Sequence, residues 1–223
     1  MNQVNYQKEL EKILERIDRE GRVPSLLLHS CCAPCSSYVL EYLCSRFLIT
    51  VFYYNPNISM EEEYKKRMEE QKRLIGAYNK EKRGYPIEIL EGDYRPQDFF
   101  DMAKGCESCP EGGERCFRCF ELRLGEAAKR AQEGSYDYFG TTLTISPLKN
   151  AQKINEIGQA VSEKYQTAWL PSDFKKKNGY KRSVELSGEY GLYRQDYCGC
   201  AFSRAQRRKE ASSKSREKRD NIS

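Results

Sequence analysis

Short continuous apolar runs alternate along this chain with longer stretches in which apolar residues recur every three or four positions, the pattern of buried strands and amphipathic helices in succession. The first helical stretch covers 6–19, with Leu10, Ile13, Leu14 and Ile17 on one face. Residues 25–29, Ser-Leu-Leu-Leu-His, read as a strand covered on both sides. After a cysteine-rich turn, a helix is expected over 36–46, with Ser36 or Ser37 as its N-cap. A second strand at 48–54 stops at Asn55-Pro56-Asn57, a long charged helix occupies 61–83, and a third strand follows at 87–90. Residues 93–102 read as a loop with one or two helical turns. Leu122, Leu124, Ala127, Ala128 and Ala131 mark a helix over 115–133, with Cys116 and Cys119 at its start. A fourth strand at 136–140 runs into a hydroxyl-rich turn, 141–147. A helix at 151–165 and a fifth strand at 168–170 complete the series.

Strands alternating with helices, joined by crossovers long enough for parallel pairing, predict an α/β fold with an open, doubly wound, mainly parallel sheet of about five strands and helices on both faces. Ligands of such sheets gather outside the carboxyl ends of the strands. Cys31, Cys32, Asn55, Asp93 and Thr141 are therefore expected on one rim. There is no internal repeat and no linker. Residues 1–202 read as one α/β domain and 203–223 as a basic, flexible tail.

Composition narrows the class. No segment of the 223 residues approaches the roughly 20 apolar positions that cross a bilayer, and the first twenty residues are charged and polar, so a cytoplasmic protein is expected. From Ala201 onward, eight Lys or Arg face three Asp or Glu, which accounts for the whole net charge of +5. A tail of this kind can grip phosphate backbones through counterion release, and it is equally common as a solvated end. Lys175, Lys176, Lys177, Lys181 and Arg182 can likewise track nucleic-acid phosphates or simply form a solvated loop.

Ten cysteines in a reducing compartment argue for metal binding or redox work rather than a disulfide scaffold. Cys44, inside a helical run, is assigned to the core. Cys31 and Cys32 are neighbours that cannot bridge each other without strain, so the doublet more plausibly aims two thiolates at a common metal or cluster. Two partitions are open. Cys106 and Cys109 with Cys116 and Cys119 have the spacing of a four-thiolate zinc knuckle. Alternatively, Cys31 and Cys32 join Cys116 and Cys119 in an iron-sulfur site at the rim, where a helix N-terminus suits negative charge and Gly112 and Gly113 allow close backbone approach.

Other candidates have bland alternatives. His29, the one histidine, can brace the cysteine turn or donate a proton. Tyr53 and Tyr54 can stack on a splayed base or fill core. Thr141, Thr142 and Thr144 can bind substrate hydroxyls or simply form a turn.

His29-Ser30-Cys31-Cys32-Ala33-Pro34-Cys35, Tyr54-Asn55-Pro56-Asn57, Pro110-Glu111-Gly112-Gly113-Glu114-Arg115-Cys116, Cys119-Phe120-Glu121-Leu122-Arg123-Leu124, Thr141-Thr142-Leu143 and Tyr197-Cys198-Gly199-Cys200 occur in this order. Together they resemble the epoxyqueuosine reductase family QueH, over residues 26–202. The resemblance implies a fold similar to the nucleotide-binding HUP type and an enzyme reducing the epoxide of epoxyqueuosine in the tRNA anticodon loop. It also implies a [4Fe-4S] cluster on Cys31, Cys32, Cys116 and Cys119, a second metal nearby, and redox-active Cys198 and Cys200. Cys106 and Cys109 fall outside the matched parts.

Removing an epoxide oxygen takes two electrons, whereas a cluster passes them singly, so a second redox centre or a Lewis acid is needed. Cys35 is a candidate ligand for a second metal, iron, and Asp93 a candidate oxygen ligand, against its reading as a turn or capping carboxylate. Cys198 and Cys200 can instead deliver electrons as a dithiol, or serve as further metal ligands. Tyr54, Asn55, Thr141 and Thr142 are the candidate substrate contacts, tRNA and an electron donor the expected partners. Two other classes compete: a zinc-stabilised RNA-binding module without chemistry, and an ATP-using tRNA thiolation enzyme. The latter lacks its glycine-rich phosphate loop after the first strand.

Overall fold

A computed structural model describes residues 4–220, with side chains described within 4–212. Five strands, β1 (Ser25–His29), β2 (Leu48–Tyr53), β3 (Glu88–Glu91), β4 (Tyr138–Thr141) and β5 (Ala168–Trp169), form one sheet in the order β3-β2-β1-β4-β5. Every pairing is parallel, and Leu26 of β1 stands between Ile49 of β2 and Tyr138 of β4. The predicted doubly wound sheet is therefore present. Because the chain begins at the middle strand, winds to one edge and returns to the other, its order reverses between β1 and β4, which leaves a crevice at their carboxyl ends.

Alternation along β1 decides the two core layers: Leu26 and Leu28 pack into one cluster, Leu27 into the other. The first layer is closed by α1 (Tyr6–Glu20), α2 (Ala33–Leu43) and α3 (Glu61–Glu81) through Leu10, Leu14, Val39, Leu40, Leu74 and Ile75. The second is closed by α5 (Glu114–Glu133) and α6 (Ala151–Tyr165) through Leu124, Ala127, Ala128, Ala131, Ile154 and Val161, and α4 (Pro96–Ala103) packs beside α5. No helix among the described residues is long and apolar enough to cross a membrane.

Three elements differ from expectation. Helix α2 starts at Ala33, three residues early, with Cys32 as its N-cap and Pro34 in its first turn. Proline is tolerated there because its missing N–H has no helical partner to lose. The hydroxyls expected to cap go elsewhere: Ser37 Oγ donates to the Pro34 carbonyl at 2.9 Å. Second, the basic segment read as a loop opens α7 (Gly179–Glu189), which packs on α2. Its buried face is Gly179, Ser183, Leu186 and Ser187, too weakly apolar to show a period. Gly179 is needed for that approach, since a Cβ there would stand 2.5 Å from the Tyr38 ring. Third, the basic segment expected to be a frayed tail from 203 is helical as α8 (Ala201–Asp220), so that boundary falls inside a helix. Residues 221–223 and the side chains of Lys214, Arg216, Lys218 and Arg219 lie outside the described residues. Good helix formers and the Arg207–Glu210 pair support the described part.

Candidate active site at the carboxyl rim of the sheet

The turn between β1 and α2 places three thiols together. The Sγ atoms of Cys31, Cys32 and Cys35 all lie within 4.8 Å of one another, with Cys31 and Cys32 3.7 Å apart. Ser30 and Ser36 flank the turn and lock it from behind, their hydroxyls 2.6 Å apart and each 2.8 Å from Gln71 Oε1. Sulfurs around one tetrahedral ion with metal–sulfur bonds of about 2.3 Å would be roughly 3.8 Å apart, so the triad is spaced for a metal.

Charge is unevenly shared in this triad. Hydrogen bonds from the Cys32 and Cys35 thiols, helped by the charges of Lys149 and Arg123, hold Cys31 well below the usual thiol range. Cys32 is correspondingly pushed up to about 12, and Cys35 is raised as well. Of the three, Cys31 is the thiol most easily ionised, at the N-terminus of α2, where the helix dipole favours an anion.

The opposite wall comes from α5 and the segment after α7. Gly112, in the left-handed region at φ 86°, turns its N–H onto Cys116 Sγ at 3.3 Å, and Gly113 caps α5. Cys119 lies one turn on, buried, and burial pushes it up to about 12. It packs with Cys200 and Phe99. Hydrogen bonding from the Cys200 thiol, then the charges of Lys149 and Arg123, hold Cys198 near 6 against the opposing effect of burial, while Cys200 is raised. The Cys198–Cys200 turn is fastened by the Arg67 guanidinium, which donates to the carbonyls of Cys198 (3.2 Å) and Tyr197 (3.4 Å). Gly199, at φ 108°, fits against Arg67 and Ile58, where a Cβ would stand 2.8 Å from Ile58 Cγ1. All ten cysteines are free thiols.

These walls enclose a cleft of about 180 Å³ lined by Cys31, Cys35, Cys116 and Cys198. Arg67, Arg123 and Lys149 supply its positive charge, and Phe117, Phe120 and Tyr197 its apolar surface. Cys32, Cys119 and Cys200 stand behind this lining, each buried. The structure thus brings seven predicted cysteines to one region of the rim.

Other predicted residues are placed differently. Tyr54 is buried, stacked on Phe52 with ring centroids 5.8 Å apart, and Tyr53 is core. Asn55 is buried and bound by the Ser30 carbonyl (2.8 Å) and Arg123 (2.5 Å). Thr141 and Thr142 are buried beneath the rim, with Thr142 Oγ1 3.9 Å from Cys31 Sγ. These four support the cleft from beneath and do not line it. Asp93 is exposed and lies outside both the cleft lining and the thiol triad. His29 is fully buried, and burial followed by the Arg123 charge lowers it to about 3, which makes it a neutral brace. Cys106 and Cys109 sit in the α4–α5 loop, whose carbonyls at Cys106 and Glu107 accept from Arg115 Nη1 at 3.1 and 2.9 Å. Among the described residues they form no ligand group with Cys116 and Cys119.

Sequence reasoning gave no role to Arg67, Arg123 or Lys149. Arg123 alone left a signal, since it follows Cys119 by four residues and must share its helix face.

A parallel sheet with a cysteine-walled, cation-flanked cleft at its switch point defines an α/β protein with a thiol-rich candidate active site. Residues 26–206 match the family described as Epoxyqueuosine reductase QueH. A relative of that name from Staphylococcus epidermidis is 48% identical over 89% of this chain and 84% of its own. Another from Streptococcus pyogenes is 45% identical over 89% and 78%, and one from Thermotoga maritima 34% over 87% and 97%. The chain belongs to the epoxyqueuosine reductase QueH family, and it is accordingly an oxidoreductase.

Proposed function

We propose that this protein reduces epoxyqueuosine to queuosine in the anticodon loop of tRNA, in the cytoplasm. The epoxide oxygen leaves as water and an alkene remains, which consumes two electrons and two protons. The observation that carries this reading is the meeting of Cys31, Cys35, Cys116 and Cys198, from three separate segments, in one cleft at the switch point.

The donor set fits a [4Fe-4S] cluster. Cys31, Cys32, Cys116 and Cys119 form two thiol pairs at the starts of two helices; Cys31 is held low, and the Gly112 N–H reaches Cys116, although burial raises Cys116 and Cys119 while no metal balances their charge. When bound, such a cluster supplies electrons one at a time. Cys35 would hold a second metal, iron, beside the doublet; the exposure of Asp93 speaks against it as a partner there.

The chain's own residues do the rest. Cys198 and Cys200, a thiolate with a neutral thiol donating to it, are poised to close to a disulfide, releasing two electrons that an external reductant restores. Phe117 and Tyr197 offer faces on which a splayed base can stack. Thr141, Thr142, Asn55 and Tyr54 set the cleft floor from beneath. The basic face of α8, which brings Arg207 to the cleft, offers contacts to tRNA phosphates.

The test is anaerobic: iron and sulfide are measured in the purified protein, which is then incubated with dithionite and tRNA bearing epoxyqueuosine. Nucleoside mass spectrometry should register loss of one oxygen from the modified base. Cluster-loaded protein that leaves the epoxide intact would overturn the reading. The zinc-stabilised RNA module has no support, since the matching family and relatives are described as reductases.

A further inference from the structure

Arg123 is 1% exposed and heads the fully buried side chains by volume. Its guanidinium donates from Nη2 to Asn55 Oδ1 at 2.5 Å and from Nε to His29 Nε2 at 3.3 Å. Both acceptors are neutral, and among the described residues Arg123 forms no ion pair with a carboxylate. The other buried arginine of the cleft lining, Arg67, is balanced by Glu63 at 2.7 Å. A guanidinium does not release its proton inside a protein, and burying it without an anion is strongly unfavourable.

The groups that can neutralise Arg123 are thiols. Cys119, one helical turn before it on the same face of α5, hydrogen-bonds to it, and Cys31 and Cys198 face it across the rim. Cys31 and Cys119 belong to opposite walls of the cleft, and Arg123 itself lines the cleft between them. Its two hydrogen bonds to the strand ends prevent the charge from swinging out to solvent.

We propose that Arg123 is the built-in counter-cation of the metal-thiolate centre and raises its reduction potential. A fixed positive charge stabilises the electron-rich form of a neighbouring centre more than the electron-poor form, so the reduced state is favoured. The proposal rests on the reading that an iron-sulfur cluster binds at Cys31, Cys32, Cys116 and Cys119. Arg123 acts through that centre and is a positioning residue.

The experiment is an EPR-monitored redox titration of anaerobically prepared, cluster-loaded protein, comparing wild type with Arg123→Gln, Arg123→Lys and Asn55→Ala. Arg123→Gln keeps a donor and loses the charge. At a fixed applied potential its ratio of reduced to oxidised cluster should fall at least tenfold, equivalent to about 59 mV for one electron. Arg123→Lys should recover most of that shift, and Asn55→Ala, which keeps the charge and the His29 bond but loses one of the two bonds that fix the guanidinium, should shift by clearly less than Arg123→Gln. Cluster loss confined to Arg123→Gln would also support the charge requirement. An unchanged potential in Arg123→Gln, a lysine variant as low as the glutamine variant, or cluster loss in all three variants overturns the proposal. Wild-type protein that binds no iron and sulfide overturns the cluster reading and this proposal with it.

Discussion

The Nδ1 atom of His29 lies 2.8 Å from Oγ1 of Thr141, joining the last residues of β1 and β4 across the switch point of the sheet. Thr141 Oγ1 also accepts the Leu143 N–H at 3.2 Å, which starts the turn beneath the rim. Whichever ring nitrogen holds the proton, Thr141→Val leaves a buried imidazole nitrogen unpaired. The variant should lose about 1–3 kcal/mol of stability in urea unfolding. Thr141→Ser should lose much less; equal losses would place the cost in packing rather than in the bond.

Cys31 and Cys106 make opposite predictions. Cys31→Ser should abolish the brown colour, the bound iron and the reductase activity, because it removes the thiolate on which the triad converges. Double replacement of Cys106 and Cys109 by Ser should leave iron and sulfide content at wild-type levels. Cluster loss in the double variant would restore the four-cysteine knuckle.

Thiol alkylation reports the Cys198–Cys200 pair. With Cys198 held near 6 by the Cys200 thiol, its modification by iodoacetamide in metal-free protein should rise through about pH 6, well below an ordinary thiol. Cys200→Ala removes the donor and should move the rise toward the ordinary range. Peptide mass spectrometry assigns the site. An identical profile in both proteins would deny the hydrogen bond its role, and Cys200→Ala should also slow turnover with iron content unchanged.

At the other end of the central strands, Asp137 accepts from the Ser25 N–H (2.8 Å) and hydroxyl (2.9 Å) and pairs with Arg22. Partial burial alone would raise its carboxyl, but the Ser25 bonds and Arg22 together lower it. A carboxyl depressed on folding stabilises above its unfolded value, about 3.9, and this contribution disappears as pH falls through the folded value. Asp137→Asn should therefore be less stable than wild type at neutral pH, with the difference shrinking below about pH 4. Melting temperatures across that range check it, and a constant difference would count against the linkage.

Much of the fold was legible because its determinants are local. The apolar run at 25–29 and the period over 151–165 coincide with β1 and α6, and alternating strands and helices indicated the parallel sheet. Helix α7 was not legible, because it packs through Gly179 and serines at close approach instead of through an apolar stripe. The α2 start was misjudged because two serines looked like caps, whereas their hydroxyls brace the cysteine turn.

The sequence by itself determined which chemistry was available: cysteine pairs in order, glycines where backbone must come close, and a strand end to present them. Tertiary structure alone decided which thiols share a cleft, that Tyr54, Asn55, Thr141 and Thr142 lie beneath it, that Asp93 faces solvent, and that Arg123 has thiols for its nearest anions. The division follows from range. Strand and helix periods and motif spacings are written within a few residues, but burial and charge balance are set by segments tens of residues apart, whose approach the sheet order dictates.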